Sequence, residues 1–344
     1  MKRSEVRPQA PGLAPAVIRW LALLVLGSVA ASAAPVDPLV QDPWVERAPY
    51  EMPFTTRAEW LEFMSQGGTA DTGPLAAAYP EREFLGFVDG TLAKVERVAF
   101  RSGGLILRGI LVSPLGNGPF PAVVYARGGN REYGKLRFLD VVRMLAIARG
   151  GRVVLAPEYR GEGGSEGEPE LAGGDVEALL AAVTALEAWP RARTERLGLV
   201  GLSRGGLVAA WALTRGPIFD AAVLIAPDLD LEATAARRPQ LDELVYSRSV
   251  AGYAEDRSAA LKRASPIHAV DRMAKTPTLV LHGAADLRVH PSASLELSRR
   301  FLDLDHPHRL LILEHGDHTL MGHTPRVRWE IEEWLSSHAS GDNR

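Results

Sequence analysis

Apolar and polar positions follow a regular rhythm along this chain from about residue 95 onward. Short continuous apolar runs, which are typical of buried parallel strands, alternate with longer segments of helical period. The predicted strands are VERVAF, LILRGILVSP, PAVVYA, RVVLAPEY, RLGLVGL, FDAAVLIAP, TPTLVLHG and HRLLILEHG. The predicted helices are LDVVRMLAIARGG, DVEALLAAVTALEAW, GGLVAAWALTRG, ASLELSRRFLDL and RVRWEIEEWLSSH. RSGG joins the first two strands as a turn. The later alternation predicts parallel crossovers, and therefore a doubly wound, mostly parallel α/β sheet.

Two stretches depart from this rhythm. Residues 35–60 are rich in Pro and aromatic residues, which predicts an extended arm leading into a short helix around TRAEWLEFMSQ. Residues 228–273 have a helical pattern and stand between two predicted strands. An insertion there would lie over the carboxyl edge of the sheet as a small cap, in which Leu244, Tyr246 and Tyr253 line a pocket or form a buried core. The sequence thus predicts an extension over residues 34–94 and a catalytic domain over residues 95–340.

The first 33 residues have the pattern of an export signal. Basic residues precede the apolar run WLALLVLGSVAASAA, and small residues at Ala31–Ala33 fit an A-x-A cleavage site that would leave Ala34 first. The apolar run is shorter than the roughly 20 residues that a membrane-spanning helix needs. We therefore favour a cleaved signal over an uncleaved anchor. The expectation is a periplasmic or extracellular protein with no membrane span in the mature chain.

Composition excludes several classes of function. The 344 residues are 46% hydrophobic and 24% charged, an ordinary balance for a globular protein. The net charge of -3 argues against a general affinity for nucleic acid, which needs a basic surface. Cysteine is absent, so disulfides, thiolate catalysis and Cys-ligated metals are excluded. Oligomeric state is left open by the sequence.

The segment VGLSRGG places Ser203 between Gly201 and Gly205, after a predicted strand and before a predicted helix. This is the context of the G-x-S-x-G elbow, in which a strained turn lifts the serine hydroxyl clear of the sheet. A serine is a useful nucleophile only when a base takes its proton. The competing interpretation is a structural glycine turn with an incidental serine. The flanking strand and helix favour the nucleophile.

The acid and the base are expected in the chain order Ser, Asp, His. Asp286 follows the predicted strand TPTLVLHG, and His318 follows the next strand, HRLLILEHG. An Asp so placed would fix the tautomer of the imidazole and stabilise the imidazolium that forms. Other candidates remain. The alternative acids are Asp228, Asp230 and Asp317, and the alternative bases are His315 and His323. The segment HGDHTLMGH could also suggest a metal site, but its spacing is not the helical H-E-x-x-H pattern.

Candidate oxyanion donors lie at the start of the helix after Ser203 and in the loop RGGNREYG. The Arg204 N–H stands at a helix N-terminus, where it can stabilise negative charge. Gly128 and Gly129 could present further backbone N–H groups. The later segment YRGEGGSEGEPE lacks the Lys-Ser/Thr of a phosphate loop. Its glutamates, Glu162 among them, are predicted to be solvated. Asp175 is predicted to cap the helix DVEALLAAVTALEAW.

With these segments, residues 95–338 resemble the catalytic domain of the prolyl oligopeptidase family within the α/β-hydrolases. The motifs that show this resemblance are YARGGN, PEYRGEGGSEG, GLSRGG, SPIHAVDRMAKTPTLVLHGAADLRV and HGDHTL. The resemblance implies an α/β-hydrolase fold, a triad of Ser203, Asp286 and His318, and hydrolysis of a peptide or small-molecule ester by acyl transfer. The expected hydrolase needs no cofactor, and the spacing of its histidines leads us to expect no catalytic metal.

The chain departs from the family pattern at two places. Arg127 stands where family members often carry His or Tyr, so the Arg127 guanidinium or a backbone N–H of Gly128 or Gly129 would have to replace a Tyr hydroxyl as oxyanion donor. The residues before the first predicted strand are also too few for the β-propeller of the larger peptidases. The expected function is therefore a peptidase-like serine hydrolase, with a carboxylesterase as the alternative. A hydrolase-like binding protein without catalysis is a third interpretation.

Overall fold

A single mixed β-sheet organises the computed structural model, which describes residues 42–66, 71–130 and 135–339. Within these residues the strands are β1 (Trp44–Pro49), β2 (Ala93–Ser102), β3 (Leu105–Pro114), β4 (Phe120–Ala126), β5 (Val153–Pro157), β6 (Ala192–Leu202), β7 (Ala221–Ile225), β8 (Thr278–Gly283) and β9 (His308–Leu313). Their spatial order is β1-β2-β3-β5-β4-β6-β7-β8-β9. The pairings β1–β2, β2–β3 and β3–β5 are antiparallel, and all later pairings are parallel. The predicted doubly wound, mostly parallel sheet is confirmed.

Helices cover both faces of this sheet. They are α1 (Arg57–Gln66), α2 (Gly73–Ala78), α3 (Glu81–Val88), α4 (Phe138–Arg149), α5 (Gly174–Glu187), α6 (Arg204–Leu213), α7 (Leu231–Arg237), α8 (Pro239–Leu241), α9 (Ser247–Ser249), α10 (Arg257–Ala264), α11 (Ser292–Asp303) and α12 (Thr324–His338). Successive side chains of a strand point to opposite faces, so Leu199 joins the core cluster around α5 and α6 while Val200 joins the cluster around α4 and α12. The buried strands therefore consist almost entirely of apolar residues.

The antiparallel edge of the sheet is built from the predicted hairpin and from a strand that the sequence analysis missed. β2 and β3 pair from Ala93↔Pro114 to Ser102↔Leu105 around the predicted turn. Part of the predicted extended arm forms β1, which pairs with β2. Most of its side chains are exposed, so no alternating pattern marks it as a strand. Its first residue, Trp44, packs edge-on against Phe100 at 6.0 Å between ring centroids.

The segment between β7 and β8 is helical, as predicted. It contains α7–α10, a π-helical turn over Asp242–Tyr246 and a 3-10 segment over Pro266–Arg272. Tyr246 is buried, whereas the Leu244 side chain is half exposed. The predicted signal peptide lies outside the described residues. In the part of the chain that the structure describes, no helix is long and apolar enough to cross a membrane.

Candidate active site

Ser203 occupies a sharp turn between the end of β6 and the start of α6. Its backbone has φ +56° and ψ −118°, a region that non-glycine residues rarely adopt and that costs about 1–3 kcal/mol. Backbone hydrogen bonds hold the turn: the Ser203 N–H donates to Ile225 O at 2.8 Å, and Ser203 O accepts from Gly206 N at 2.8 Å. The strand–turn–helix context predicted for G-x-S-x-G is therefore present.

The two glycines of this motif allow close backbone packing. A Cβ added to Gly205 would collide with the carbonyl of Ala126 at the end of β4, and one added to Gly201 would collide with the carbonyl of Gly205. Because the obstacles are backbone atoms, no side-chain rotation could relieve them. The glycines thus let the first turn of α6, which follows Ser203, pack against the ends of β4 and β6.

Three side chains from three loops form one hydrogen-bonded chain. The His318 Nε2 lies 2.9 Å from Ser203 Oγ, and its Nδ1 lies 2.7 Å from Asp286 Oδ2. A carboxylate can only accept, so the proton of the neutral imidazole belongs on Nδ1. The unprotonated Nε2 then accepts from the serine hydroxyl. The structure brings together the three residues that the sequence analysis selected, in the arrangement that a general base requires.

The carboxylate of Asp286 is fixed from several sides. Its Oδ1 accepts from the N–H groups of Arg288 and Val289 at 2.8 and 2.9 Å. Its Oδ2 lies 3.2 Å from His282 Nε2. Burial would by itself raise the pKa of Asp286, but the hydrogen bonds from His282, His318 and Val289, together with the positive charge that His318 carries when it is protonated, hold its pKa well below the usual range. The acid therefore stays ionised beside the imidazole.

His282 supports this loop from beneath. It is fully buried, and its Nε2 donates to Val289 O at 2.9 Å. Its other nitrogen, Nδ1, is 2.8 Å from Ser294 Oγ at the start of α11. His282 thus ties the loop after β8 to α11.

The alternative acids have other partners. Asp228 accepts from Thr234 Oγ1 at 2.7 Å and from the Tyr246 hydroxyl at 2.6 Å. Its burial raises its pKa despite these hydrogen bonds. Asp230 caps α7, and Asp317 accepts from the backbone N–H and the hydroxyl of Thr319. The carboxylate that contacts the His318 imidazole is therefore Asp286, in the loop after β8. Asp228 instead binds two residues of the cap segment.

The alternative bases also lie apart from Ser203. The His315 side chain is 90% exposed and is 3.4 Å from Glu314. The Nε2 of His323 donates to Glu314 O at 2.9 Å. Only His318, among the three histidines of this loop, contacts the serine hydroxyl.

The start of α6 and the loop after β4 both lie beside Ser203. Arg204 is the first residue of α6, and the first N–H groups of a helix have no intrahelical acceptor. From the loop after β4, Gly128 approaches the turn so closely that a Cβ added to it would lie 3.3 Å from Ser203 Cβ and 3.0 Å from Leu202 O. Gly129 follows with φ +77°. The residues predicted to bind an oxyanion thus flank the serine on two sides.

Comparison with known proteins now identifies the family. The sequence model of the prolyl oligopeptidase family matches residues 139–341, more than half of the chain. The chain belongs to the prolyl oligopeptidase family. As a member it is a hydrolase of the peptidase and esterase type, and its fold is the α/β-hydrolase fold.

Its relatives and structural neighbours vary in length. An uncharacterized peptidase, YtmA of Bacillus subtilis (strain 168), is 28% identical over 61% of this chain and 80% of its own. Pyrococcus horikoshii acylaminoacyl peptidase has a TM-score of 0.63 at 22% identity, covering 74% of this chain but only 43% of the peptidase. A Pyrococcus furiosus esterase has a TM-score of 0.57 at 21% identity, covering 72% of this chain and 92% of the esterase. These structural likenesses establish the fold.

In this member of the prolyl oligopeptidase family, Arg127 is a buried structural residue. Its side chain is fully buried, with Nε 2.6 Å from Glu158 Oε2 and Nη2 2.6 Å from Glu162 Oε2. Its Nη1 donates back to Gly128 O at 3.2 Å. The guanidinium is therefore directed at carboxylates and a carbonyl, and the suggestion that it donates to an oxyanion is wrong.

The Arg204 side chain extends the same network. It makes a bidentate contact to Asp175 at 2.8 and 3.0 Å, and its Nη1 lies 2.9 Å from Glu162 Oε1. The same Nη1 donates to Gly129 O at 3.3 Å and to Asn130 Oδ1 at 3.2 Å. One guanidinium thus connects α5, the loop after β5 and the loop after β4.

Two predictions about carboxylates are corrected here. Glu162 is buried rather than solvated, because two guanidinium groups hold it; burial would raise its pKa, but Arg204 and Arg127 outweigh that effect and lower it. Asp175 does not cap α5, whose N-cap residue is Gly173. Burial raises the pKa of Asp175 to about 6, even though Arg204 acts in the opposite direction. Both carboxylates instead position the residues next to Ser203.

Proposed function

We propose that this chain is an exported serine hydrolase that cleaves an acyl bond through an acyl-enzyme on Ser203. The observation that carries the proposal is the continuous hydrogen-bond path from Ser203 Oγ through His318 to Asp286, at 2.9 and 2.7 Å. Oγ attacks the acyl carbon while its proton passes to His318 Nε2. The negative charge of Asp286 stabilises the imidazolium, which then protonates the leaving group. Water repeats the sequence in reverse to release the acid.

The developing oxyanion would be bound by backbone amides. The Arg204 N–H at the start of α6 and an N–H of Gly128 or Gly129 are the donors that we assign. Such donors are effective when they are held in place before the reaction. The guanidinium contacts to Gly128 O and Gly129 O hold this loop by its carbonyls. The side chains of Arg127 and Arg204 are thus positioning residues, not donors to the substrate.

The bond that is cleaved can belong to an amide or to an ester. A peptidase is the first candidate because the family is named after a peptidase. A small esterase is the second candidate, favoured by the described residues ahead of β2, which form one strand and three helices rather than a substrate-filtering propeller. Panels of acyl esters and peptide amides distinguish them. Turnover of esters alone would contradict the peptidase assignment.

The kcat losses of single and double variants test the mechanism. Because Ser203 and His318 act as one unit, either Ser203→Ala or His318→Ala should lower kcat by at least about 10⁴-fold, and the double variant should lose no more than the single ones. Independent, multiplying losses would contradict a shared proton-transfer step. A variant that retained activity within tenfold of wild type would do the same.

Export is proposed from the pattern of residues 1–33 alone. The mature chain isolated from the cell envelope or the medium of its natural host should begin at Ala34. Intact Met1 on the folded protein in a membrane fraction would contradict cleavage.

A further inference from the structure

A cavity of about 410 Å³ lies between α4 and α12, on the sheet face opposite α5 and α6. Pockets for small organic ligands measure about 300–1,000 Å³. The cavity therefore has the size of a ligand site. None of the steps proposed above uses it.

One end of this cavity adjoins the proposed reaction centre. Its lining includes Leu202, which directly precedes Ser203, and Thr319, which directly follows His318. A Cβ added to Gly128 would also lie 3.6 Å from Leu202 Cγ, so the proposed oxyanion loop meets the lining at the same point. The acyl group of a substrate bound at Ser203 would therefore lie next to Leu202 and Thr319, at this end of the cavity.

The wall of the cavity suits an uncharged chain. Aliphatic residues of α4, α12 and the sheet dominate it, among them Ala146, Val200 and Val327. Each charged side chain in the lining already has an ionic partner. These pairs are Arg143–Asp140, Arg149–Glu83, Arg328–Glu83 and Arg152–Glu332. An apolar ligand would thus enter without leaving a charge unpaired.

We infer that this cavity is the acyl subsite, and that the enzyme prefers substrates with an extended aliphatic acyl chain. The inference rests on the proposed nucleophile at Ser203. The lining runs along α12 from Thr324 to Glu332, about 12 Å at the rise of an α-helix, which gives room for a medium-length chain. Each methylene that enters should raise kcat/KM about fourfold until the cavity is full.

Chain-length selectivity tests this inference. On p-nitrophenyl esters from acetate to decanoate, kcat/KM of the wild type should rise steadily with chain length. Val327→Trp on α12 and Ala146→Phe on α4 would each fill the cavity and should lower the decanoate-to-acetate ratio of kcat/KM at least tenfold. Ser337→Trp is the matched control, because Ser337 is exposed on α12 and lies outside the cavity lining. The decanoate-to-acetate ratio of kcat/KM for Ser337→Trp should match that of the wild type. A flat chain-length profile, or an unchanged ratio in the folded filled variants, would overturn the subsite.

Ligand-binding measurements distinguish a failure of the acyl subsite from a failure of the proposed nucleophile. Calorimetry should detect decanoate binding to Ser203→Ala and at least tenfold weaker binding to Ser203→Ala combined with Val327→Trp. If the esters are not hydrolysed but this pattern holds, the catalytic proposal fails and the cavity remains an acyl-binding site. Equal decanoate affinity in the two proteins, or no binding to Ser203→Ala, would overturn the site whatever the hydrolysis assays give.

Discussion

Replacing Arg204 by lysine tests whether the buried guanidinium positions the loop beside Ser203. The substitution keeps the positive charge and the backbone N–H but removes the planar fork. In the native protein that fork contacts both oxygens of Asp175, at 2.8 and 3.0 Å, as well as Glu162, Gly129 O and Asn130. A lysine has a single nitrogen and cannot reach all of these acceptors.

The expected loss has two components. Two charge-assisted hydrogen bonds disappear, each contributing about 1.5–3 kcal/mol, so the free energy of unfolding should fall by about 3–6 kcal/mol. The loop carrying Gly128 and Gly129 should also lose its fixed position. Misplacement of an oxyanion donor should lower kcat by about 10- to 100-fold, with a smaller change in KM.

Denaturant unfolding measures the first component, and ester hydrolysis at a temperature where the variant is folded measures the second. Arg191→Lys is the matched control. Arg191 donates to the carbonyls of Pro114 and Gly116 at 2.8 and 2.6 Å, next to the first residue of β6 and so at the opposite end of that strand from Ser203. The Arg191→Lys variant should be less stable than the wild type, while its kcat should be unchanged. Wild-type kcat in folded Arg204→Lys would refute the positioning role.

Two further variants probe the elbow and the acid. Gly205→Ala should abolish activity and destabilise the fold, since its Cβ would meet the Ala126 carbonyl; a folded, active variant in circular dichroism and ester assays would contradict the close packing. Asp286→Asn should lower kcat by about 10³–10⁴-fold. Because the folded pKa of Asp286 is depressed, its contribution to stability is present above the unfolded pKa, near 3.9, and is lost as pH falls toward the folded pKa. The stability gap between wild type and Asp286→Asn should therefore be widest near neutral pH and shrink in acid, and a gap that grew on acidification would contradict this sign.

The sequence contained enough information to predict that Ser203, Asp286 and His318 meet, because each of them follows a strand with a clear apolar pattern. Parallel strands end at the same edge of the sheet, so β6, β8 and β9 were expected to present their following residues along one edge. The elbow added a local signature, in which two glycines meet a steric need of the backbone. Both arguments use only neighbours in the chain and the order of elements.

The buried network could not be predicted in the same way. Glu162 stands in a glycine-rich loop of exposed character, and its pairing with Arg127 and Arg204 depends on how three separate loops meet. The same holds for β1, whose side chains are mostly exposed and whose strand conformation comes from pairing with β2. One signal was available: a long cationic side chain at Arg204, at the start of a buried helix, requires a buried carboxylate partner.

The cavity between α4 and α12 was likewise invisible in the sequence. Both helices show apolar faces that are typical of core packing, and the pattern cannot tell a filled interface from an open one. The gap depends on the distance between the helices. Its lining includes Leu202 and Thr319, the chain neighbours of Ser203 and His318, and the sequence pattern does not show that these two residues face a gap.

Covalent labelling of Ser203 tests the central claim most directly. A fluorophosphonate probe reacts with an activated serine hydroxyl, and peptide mass spectrometry of the labelled protein identifies the modified residue. The account predicts a single adduct on Ser203 in the wild type and loss of labelling in Ser203→Ala. It also predicts much slower labelling in His318→Ala, because Oγ then lacks its base. An unlabelled wild type, or equal labelling of Ser203→Ala, would contradict the assignment of Ser203 as the nucleophile.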